Sequence, residues 1–308
     1  MNGLSGILNG SEIYEATLPA EHMLKEISKI RDLDKRHEKG IDTVKGNLKK
    51  SQVGCLLWLV IICIGCYFFV DYSAVKVGLI SIASAIVIQT IIKGRRFRSQ
   101  ISEMEVFEFP DEYYETAYQI LDLVSEDIDS DSKIYLKLTM RPTIDDSFLV
   151  KEGTIRAYNT WNVSYYDHIW LQMSGRFLDK TKFYLTARTL AQFRQCKAKY
   201  KTKYKFKRRI QLRLKPDYLS HPYWKEAIID ARSAVQLPEY FELKKLKADT
   251  KGLNLSVYSG SVTETYYEAY EKSDQSFKNI TPETIMKMFL SGYQIINLSA
   301  RLTDARSK

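Results

Sequence analysis

Residues 197–215 read KAKYKTKYKFKRRIQLRLK. Lysine or arginine occupies every odd position in this stretch except Gln211, whereas the even positions are mostly aromatic or aliphatic. An α-helix would scatter these charges around its circumference, but a β-strand places alternate residues on opposite faces. The stretch therefore predicts one long strand, or two strands joined by a tight turn, with one face in the core and one face of cations.

Three interpretations of the cationic face stay open from the residues alone. It could be a plain exposed face or an edge strand that lysines protect from aggregation, it could bind phosphate groups, or it could contact an anionic membrane surface. The density of cations exceeds what edge protection requires, so we predict a site for an anionic ligand, either a nucleotide or another phosphate-rich molecule. The predicted ligand-binding residues alternate along the strand: Lys199, Lys201, Lys203, Lys205, Lys207 and Arg209.

The aromatic residues of this stretch have the opposite parity from the cations. Bases of single-stranded nucleic acids stack on aromatic side chains that lie among the cations of a binding groove. The parity therefore counts against a base-stacking surface on this strand.

The segments around this strand predict an antiparallel sheet or a small barrel. Apolar residues alternate at 134–141, and a second set shares one parity up to Gly175: Val163, Tyr165, Ile169, Leu171 and Met173. A shorter strand signal follows at 182–187, and no helix signal separates these strands. Helix signals flank them, because an N1-like proline followed by an acidic residue occurs at Pro110 and Pro282.

Two apolar stretches predict membrane helices. Residues 53–70 contain no charge, and residues 74–92 contain only Lys76 near their start. A helix over 53–70 would be ~27 Å long, close to the hydrocarbon thickness of a bilayer. Because only residues 71–73 separate the stretches, we expect a transmembrane helical hairpin.

The charges that flank the two stretches predict the orientation of the hairpin. Cations lie on both outer flanks and none lies in the connecting turn, so the positive-inside rule places both termini in the cytoplasm. The predicted membrane-interface residues are Lys49, Lys50, Lys93, Arg95, Arg96 and Arg98. The predicted partners are the lipid bilayer, the anionic ligand and further copies of this chain in a homo-oligomer, and no protein partner is identified.

The sequence carries no motif that predicts an enzyme. It lacks the GxxxxGK[ST] and GxGxxG phosphate loops and the GxSxG and HExxH motifs. None of its four histidines is paired at a metal-ligand spacing, and its four cysteines do not form a disulfide framework. We predict no catalytic residue, no metal site and no cofactor, and the net charge of +9 favours acidic partners.

The predicted fold class is an α+β membrane protein. It combines the transmembrane hairpin with a cytosolic domain that has an antiparallel sheet or small barrel and flanking helices. The predicted parts are a loose tail (1–18), amphipathic cytosolic helices (19–52), the hairpin (53–92, as 53–70 and 74–92), a β-rich domain (99–215), its helical and mixed C-terminal part (216–301) and a tail (302–308).

In layout alone, two membrane helices with a β-rich cytosolic domain resemble bacterial immune effectors that sense nucleotide second messengers. We therefore predict a membrane-anchored sensor or effector whose cationic strand binds an anionic ligand and which acts by oligomerising its membrane helices. One alternative is a membrane-bound scaffold whose cationic face contacts anionic lipid while other surfaces bind proteins. A third hypothesis is an enzyme whose site is not revealed by any of these motifs.

Overall fold

The structure is a computed structural model that describes residues 12–68, 89, 92, 111–156, 159–196, 201–216, 223–232, 235–249, 252–260, 262–267, 270–272 and 280–306. The chain divides into two compact units, one formed by Met1–Arg31 with Pro110–Lys308 and the other by Asp32–Phe109. The strands of the described residues are β1 (Ile13–Pro19), β2 (Lys133–Thr139), β3 (Leu149–Arg156), β4 (Thr160–Arg176), β5 (Lys182–Cys196), β6 (Lys201–Lys215), β7 (Phe241–Asp249), β8 (Gly252–Ser259), β9 (Val262–Tyr267) and β10 (Tyr270–Lys272). The helices are α1 (Ala20–Phe68), α2 (Asp111–Ser125), α3 (Trp224–Ala231) and α4 (Pro282–Arg306).

The strands of the first unit form one antiparallel sheet. Seven of them follow the order β1-β2-β4-β5-β6-β8-β7, while β3 pairs with β4, β9 with β6, and β10 with β9. The three longest strands, β4, β5 and β6, are neighbours in this order. Residues 201–215 of the cation-rich stretch therefore form a central strand.

Helices cover one face of this sheet. Ile210, Leu212 and Leu214 of β6 are at most 1 % exposed, and α4 packs on β6 and β8 while α2 packs on β4. Helix α4 begins where Thr281 Oγ1 accepts a hydrogen bond from the Thr284 N–H at 3.3 Å, the N-cap interaction that its sequence predicts. Burial of each such aliphatic side chain stabilises the fold by about 1.5–3 kcal/mol, so the even-numbered residues of β6 are fixed on the helix side.

A β-bulge at Trp170 reverses the alternation within β4. The register of its pairing with β5 shifts at this position, and Trp170 is buried with its ring stacked on Tyr113 of α2 at 4.7 Å between centroids. As a result, Met173 faces the helices together with Leu185, whereas Val163 pairs with a cation on the other face. The prediction of one parity from Val163 to Met173 is wrong, because the extra residue of a bulge moves all following side chains to the opposite face.

The first strand lies where a loose tail is predicted for residues 1–18. Ile13–Pro19 pairs in register with β2, and Tyr14 and Ala16 are buried. The Tyr14 hydroxyl donates a hydrogen bond to Glu26 Oε2 of α1 at 2.8 Å. Burial of the Tyr14 side chain is the main cause that raises its pKa, and the nearby Glu26 carboxylate raises it further. Alternate burial against β2 therefore orders a segment that is too short to be recognised as a strand by its composition.

Within the described residues, no helix is long and apolar enough to cross a bilayer. The first predicted span is part of α1, a 49-residue helix that is polar over most of its length and ends at Phe68. The second predicted span lies outside the described residues except for Gln89 and Ile92.

The predicted fold class of an α+β membrane protein is therefore wrong, as is the two-span membrane localisation. The placement of both termini in the cytoplasm was inferred from those spans and is not retained. The structure has an antiparallel sheet with helices. The likeness in layout to membrane-bound effectors depended on the two spans and is not retained. Of the predicted membrane-interface residues, Lys49 and Lys50 are exposed on α1, and the other four (Lys93, Arg95, Arg96 and Arg98) lie outside the described residues.

Candidate polyanion-binding face

Strand β6 has hydrogen-bonded neighbours on both sides. It pairs with β5 from Lys201 to Lys215, and on its other side it pairs with β9 as far as Phe206 and with β8 from Arg209. A lysine row protects a sheet from aggregation only at an edge, where backbone N–H and C=O groups are free to pair with another chain. Edge protection is therefore excluded as the reason for the cations of β6.

The odd-numbered residues of β6 lie on the sheet face opposite the helices. We call this the open face and define it by these residues and by the residues of the neighbouring strands that lie in the same cross-strand rows. Lys205 and Arg213 are exposed, whereas Lys203, Lys207 and Arg209 are half-buried. Among the described residues, none of these five side chains forms an ion pair with a carboxylate.

Four of the six predicted ligand-binding residues are thus brought together on one face: Lys203, Lys205, Lys207 and Arg209. They are alternate residues of one strand and lie ~7 Å apart, twice the rise per strand residue. Lys199 lies outside the described residues, and for Lys201 the structure describes the backbone alone.

Cations of β5 lie directly opposite cations of β6. The three like-charged pairs are Arg194 with Lys203, Arg188 with Arg209, and Lys182 with Lys215. Like charges directly opposite each other are unfavourable in a sheet, by about 0.2–1 kcal/mol for each pair. The open face therefore concentrates positive charge in a way that opposes folding.

Few acidic groups in the described residues compensate this charge. Arg188 Nη1 donates to Asp167 Oδ2 of β4 at 2.9 Å, but Arg194 Nη2 donates to the neutral Gln192 at 2.7 Å. At the margin of the face, the ion pair with Lys244 at 2.6 Å lowers the pKa of Glu242. The open face therefore keeps a positive balance.

Aromatic side chains from the neighbouring strands lie among these cations. The Lys203 ammonium lies over the ring of Trp161 at 5.7 Å from its centroid, and Lys207 lies over the ring of Tyr258 at 4.8 Å. Tyr165 of β4 and Tyr184 of β5 share this face and are 37 % and 46 % exposed. The face therefore combines positive charge with aromatic rings, although the aromatic residues of β6 itself point to the other side.

A groove with a volume of about 360 Å³ crosses the open face near the end of β6. Arg213 forms part of the groove and donates a hydrogen bond from Nε to Asn254 Oδ1 at 2.7 Å. Lys247 Nζ forms an ion pair with Asp249 Oδ2 at 3.8 Å. The polar residues that line the groove come from four neighbouring strands: Tyr184, Thr186, Gln211, Arg213, Lys245, Lys247, Asp249, Asn254 and Ser256. The groove offers cations, amides and one exposed aromatic ring within a single concavity.

Several of these residues are absent from the site that the sequence predicts. Tyr184, Arg188 and Arg194 all occupy even positions of β5. The two-residue period of a strand would therefore have placed them on one face of β5. The cross-strand register that sets them beside Lys203 and Arg213 is a long-range property. The sequence signal could therefore have identified the residues but not the face that they join.

The adjacent pair Asp167 and His168 does not form a catalytic couple. Asp167 bonds to Arg188 on the open face, whereas His168 is fully buried on the helix side. His168 Nε2 donates to the Thr139 carbonyl at 3.2 Å, and Nδ1 accepts from Thr143 Oγ1 at 3.2 Å. Desolvation lowers the pKa of His168 to about 4, so the imidazole is neutral near pH 7.

The part of the chain that the structure describes contains no group of three or more histidine, cysteine, aspartate or glutamate residues that could hold a metal ion. Comparisons of this chain with family models, with curated proteins and with solved structures find no match.

Proposed function

We propose that this protein binds a phosphate-rich polyanion on the open face of its sheet, along strand β6. One observation carries the proposal: a row of cations lies on a strand that is paired on both sides, and among the described residues Lys203, Lys205, Lys207 and Arg209 form no ion pair with a carboxylate. Lys207 acts on the Glu242 carboxylate only from beyond ion-pair distance. A row of this kind attracts polyanions and gains affinity by releasing the counterions that accompany them.

The repulsion between strands supports the same proposal. Arg194 faces Lys203, and this pair carries a cost that a bound anion would remove. Arg188 also faces Arg209, but Asp167 already offsets part of that repulsion. The interior position of β6 removes the need for charge at these positions as a guard against aggregation. Binding of a polyanionic ligand would therefore explain why these cations are present on β6, which the stability of the fold does not.

Reversal of two of these charges tests the proposal in the full chain. The variant Lys203→Glu with Lys205→Glu is compared with Lys25→Glu and Lys29→Glu, which make the same charge change at exposed positions of α1. Binding of fluorescently labelled polyphosphate and of labelled oligonucleotides is measured by anisotropy at two salt concentrations. The first variant should weaken binding by at least about tenfold at 0.15 M salt, because each lost contact costs about fourfold there.

The fold of the reversal variant should be retained. A glutamate at position 203 would face Arg194 and replace a repulsive pair by an attractive one. Its melting temperature should therefore be no lower than that of the wild type. Equal loss of binding in the α1 variant, or unchanged binding in the β6 variant, would refute the proposed face.

A further inference from the structure

We infer that the polyanion is single-stranded nucleic acid, whose bases stack on Tyr165 and Tyr184 while its phosphates follow the cations of β6. The inference rests on the proposed function and specifies its ligand. It starts from two aromatic side chains of the open face, Tyr165 and Tyr184, whose rings are exposed among its cations.

The register of the sheet places each of these rings beside a cation of β6. Tyr165 pairs with Gln192, which pairs with Lys205, so the ring and the ammonium are two strands apart in one cross-strand row. Tyr184 pairs directly with Arg213. Neighbouring strands lie ~4.8 Å apart, so a base on either ring leaves its phosphate within reach of the row.

The exposure of these two rings is informative because cations of β6 already cover another aromatic ring of the face, that of Tyr258. Lys207 and Arg209 lie over the ring of Tyr258 at 4.8 and 5.2 Å from its centroid. Tyr165 and Tyr184 are 37 % and 46 % exposed. These two rings therefore present apolar surface to solvent at the positions where a planar, apolar group could cover it.

The groove beside Tyr184 carries the other groups that a nucleotide requires. Gln211 presents an amide that can bond to the edge of a base, and Arg213 and Lys245 present charge to a phosphate. The Asn254 amide is already bonded to Arg213 and to the Gly252 carbonyl. Polyphosphate and inositol phosphates have no aromatic face for Tyr184 to stack on. A duplex hides the faces of its bases inside the helix, whereas a single strand exposes them.

The test compares Tyr184→Ala and Tyr184→Phe with Tyr118→Ala in the full chain. Tyr118 lies on α2, and the Arg31 guanidinium carbon lies over its ring at 5.1 Å from the ring centroid. Tyr118 is a matched aromatic control away from the open face. Binding is measured for single-stranded DNA, single-stranded RNA, the corresponding duplexes and polyphosphate. Tyr165→Ala is measured in the same way as a second, independent position.

Tyr184→Ala should weaken binding of single strands by about 5- to 160-fold, the range expected for loss of one base–aromatic stack. Tyr184→Phe should bind as the wild type does, and polyphosphate affinity should be unchanged in both, since no charge is altered. If wild-type protein binds polyphosphate as tightly as single strands and Tyr184→Ala changes neither, this inference is overturned while the proposed function stands. If no polyanion binds at all, the proposed function and this inference both fail. Tighter binding of duplexes than of single strands would also overturn the inference.

Discussion

Acidification from pH 8 to pH 5 should destabilise the fold through His168. This side chain is fully buried, and its ring stacks on Phe148 at 4.2 Å between centroids. Its Nε2–H donates to the Thr139 carbonyl, and its Nδ1 accepts from Thr143, which itself bonds to the Tyr113 hydroxyl at 3.1 Å. A second proton would remove the acceptor at Nδ1 and place a charge where little water can solvate it.

The magnitude follows from the difference between the two pKa values. Desolvation lowers the pKa of His168 from 6.5 to about 4, whereas the unfolded chain keeps the ordinary value. The hydrogen bond to the Thr139 carbonyl and the charge of Asp145 oppose this shift in the pKa of His168, and the charge of Arg208 adds to it. Because the folded state binds its proton less readily, the stabilisation is present above pH 6.5 and is lost as the pH falls towards 4. The loss is about 2 kcal/mol between pH 8 and pH 5, and about 3.4 kcal/mol when both states are protonated.

Urea unfolding at a series of pH values measures this loss. His168→Gln keeps a polar side chain but cannot titrate in this range, so its free energy of unfolding should be lower at pH 8 and nearly flat down to pH 5. His22→Gln, at an exposed position of α1, should keep the pH dependence of the wild type. A wild-type slope that persists in His168→Gln would show that another group controls the stability in this range.

Two further substitutions test the open face and the turn that positions its groove. Asp167→Asn removes the carboxylate that pairs with Arg188 at 2.9 Å. Polyanion binding should tighten by about fourfold at 0.15 M salt, and the slope of the logarithm of the binding constant against the logarithm of the salt concentration should steepen by about 0.7. Weaker binding would contradict the assigned face. Gly252→Ala should cost about 2–3 kcal/mol in urea unfolding, because Gly252 has φ of 118° and an added Cβ would overlap the Leu214 carbonyl oxygen. Gly260→Ala is its control, since an added Cβ there would meet nothing within 4 Å, and equal cost at both positions would refute the steric argument.

The period of an alternating sequence is a local signal, and it predicted β6 and its two faces. Every second residue of a strand points to the same side whatever its neighbours are, so Ile210 and Leu212 on the helix side and Lys203 and Lys205 on the other side follow from the sequence alone. The interior position of β6 does not follow, because it depends on pairing with β5, β8 and β9, which are separate in the chain. That pairing is what distinguishes a binding face from a protected edge.

The aromatic component of the site could not be predicted for a related reason. Within β6 the aromatic residues have the opposite parity from the cations, which counted against base stacking. Tyr165 and Tyr184 reach the open face from β4 and β5, and the bulge at Trp170 determines which residues of β4 share the face with Tyr165. An isolated strand therefore gives the composition of its own faces but not of the sheet surface to which it contributes.

The balance of energies within β6 explains why folding alone does not account for its cations. Each aliphatic side chain that the strand buries, such as Leu212 or Leu214, stabilises the fold by about 1.5–3 kcal/mol, whereas each repulsive cross-strand pair costs about 0.2–1 kcal/mol. The strand would form at least as well with threonine or glutamine in place of Lys203 and Lys205, since neutral side chains would keep the alternation and remove the repulsion. A row that is tolerated by the core but not required by it, on a strand with no free edge, needs a cause outside the fold. The polyanion that we propose would supply that cause, and the exposed rings of Tyr165 and Tyr184 are the reason for inferring that it has aromatic faces of its own.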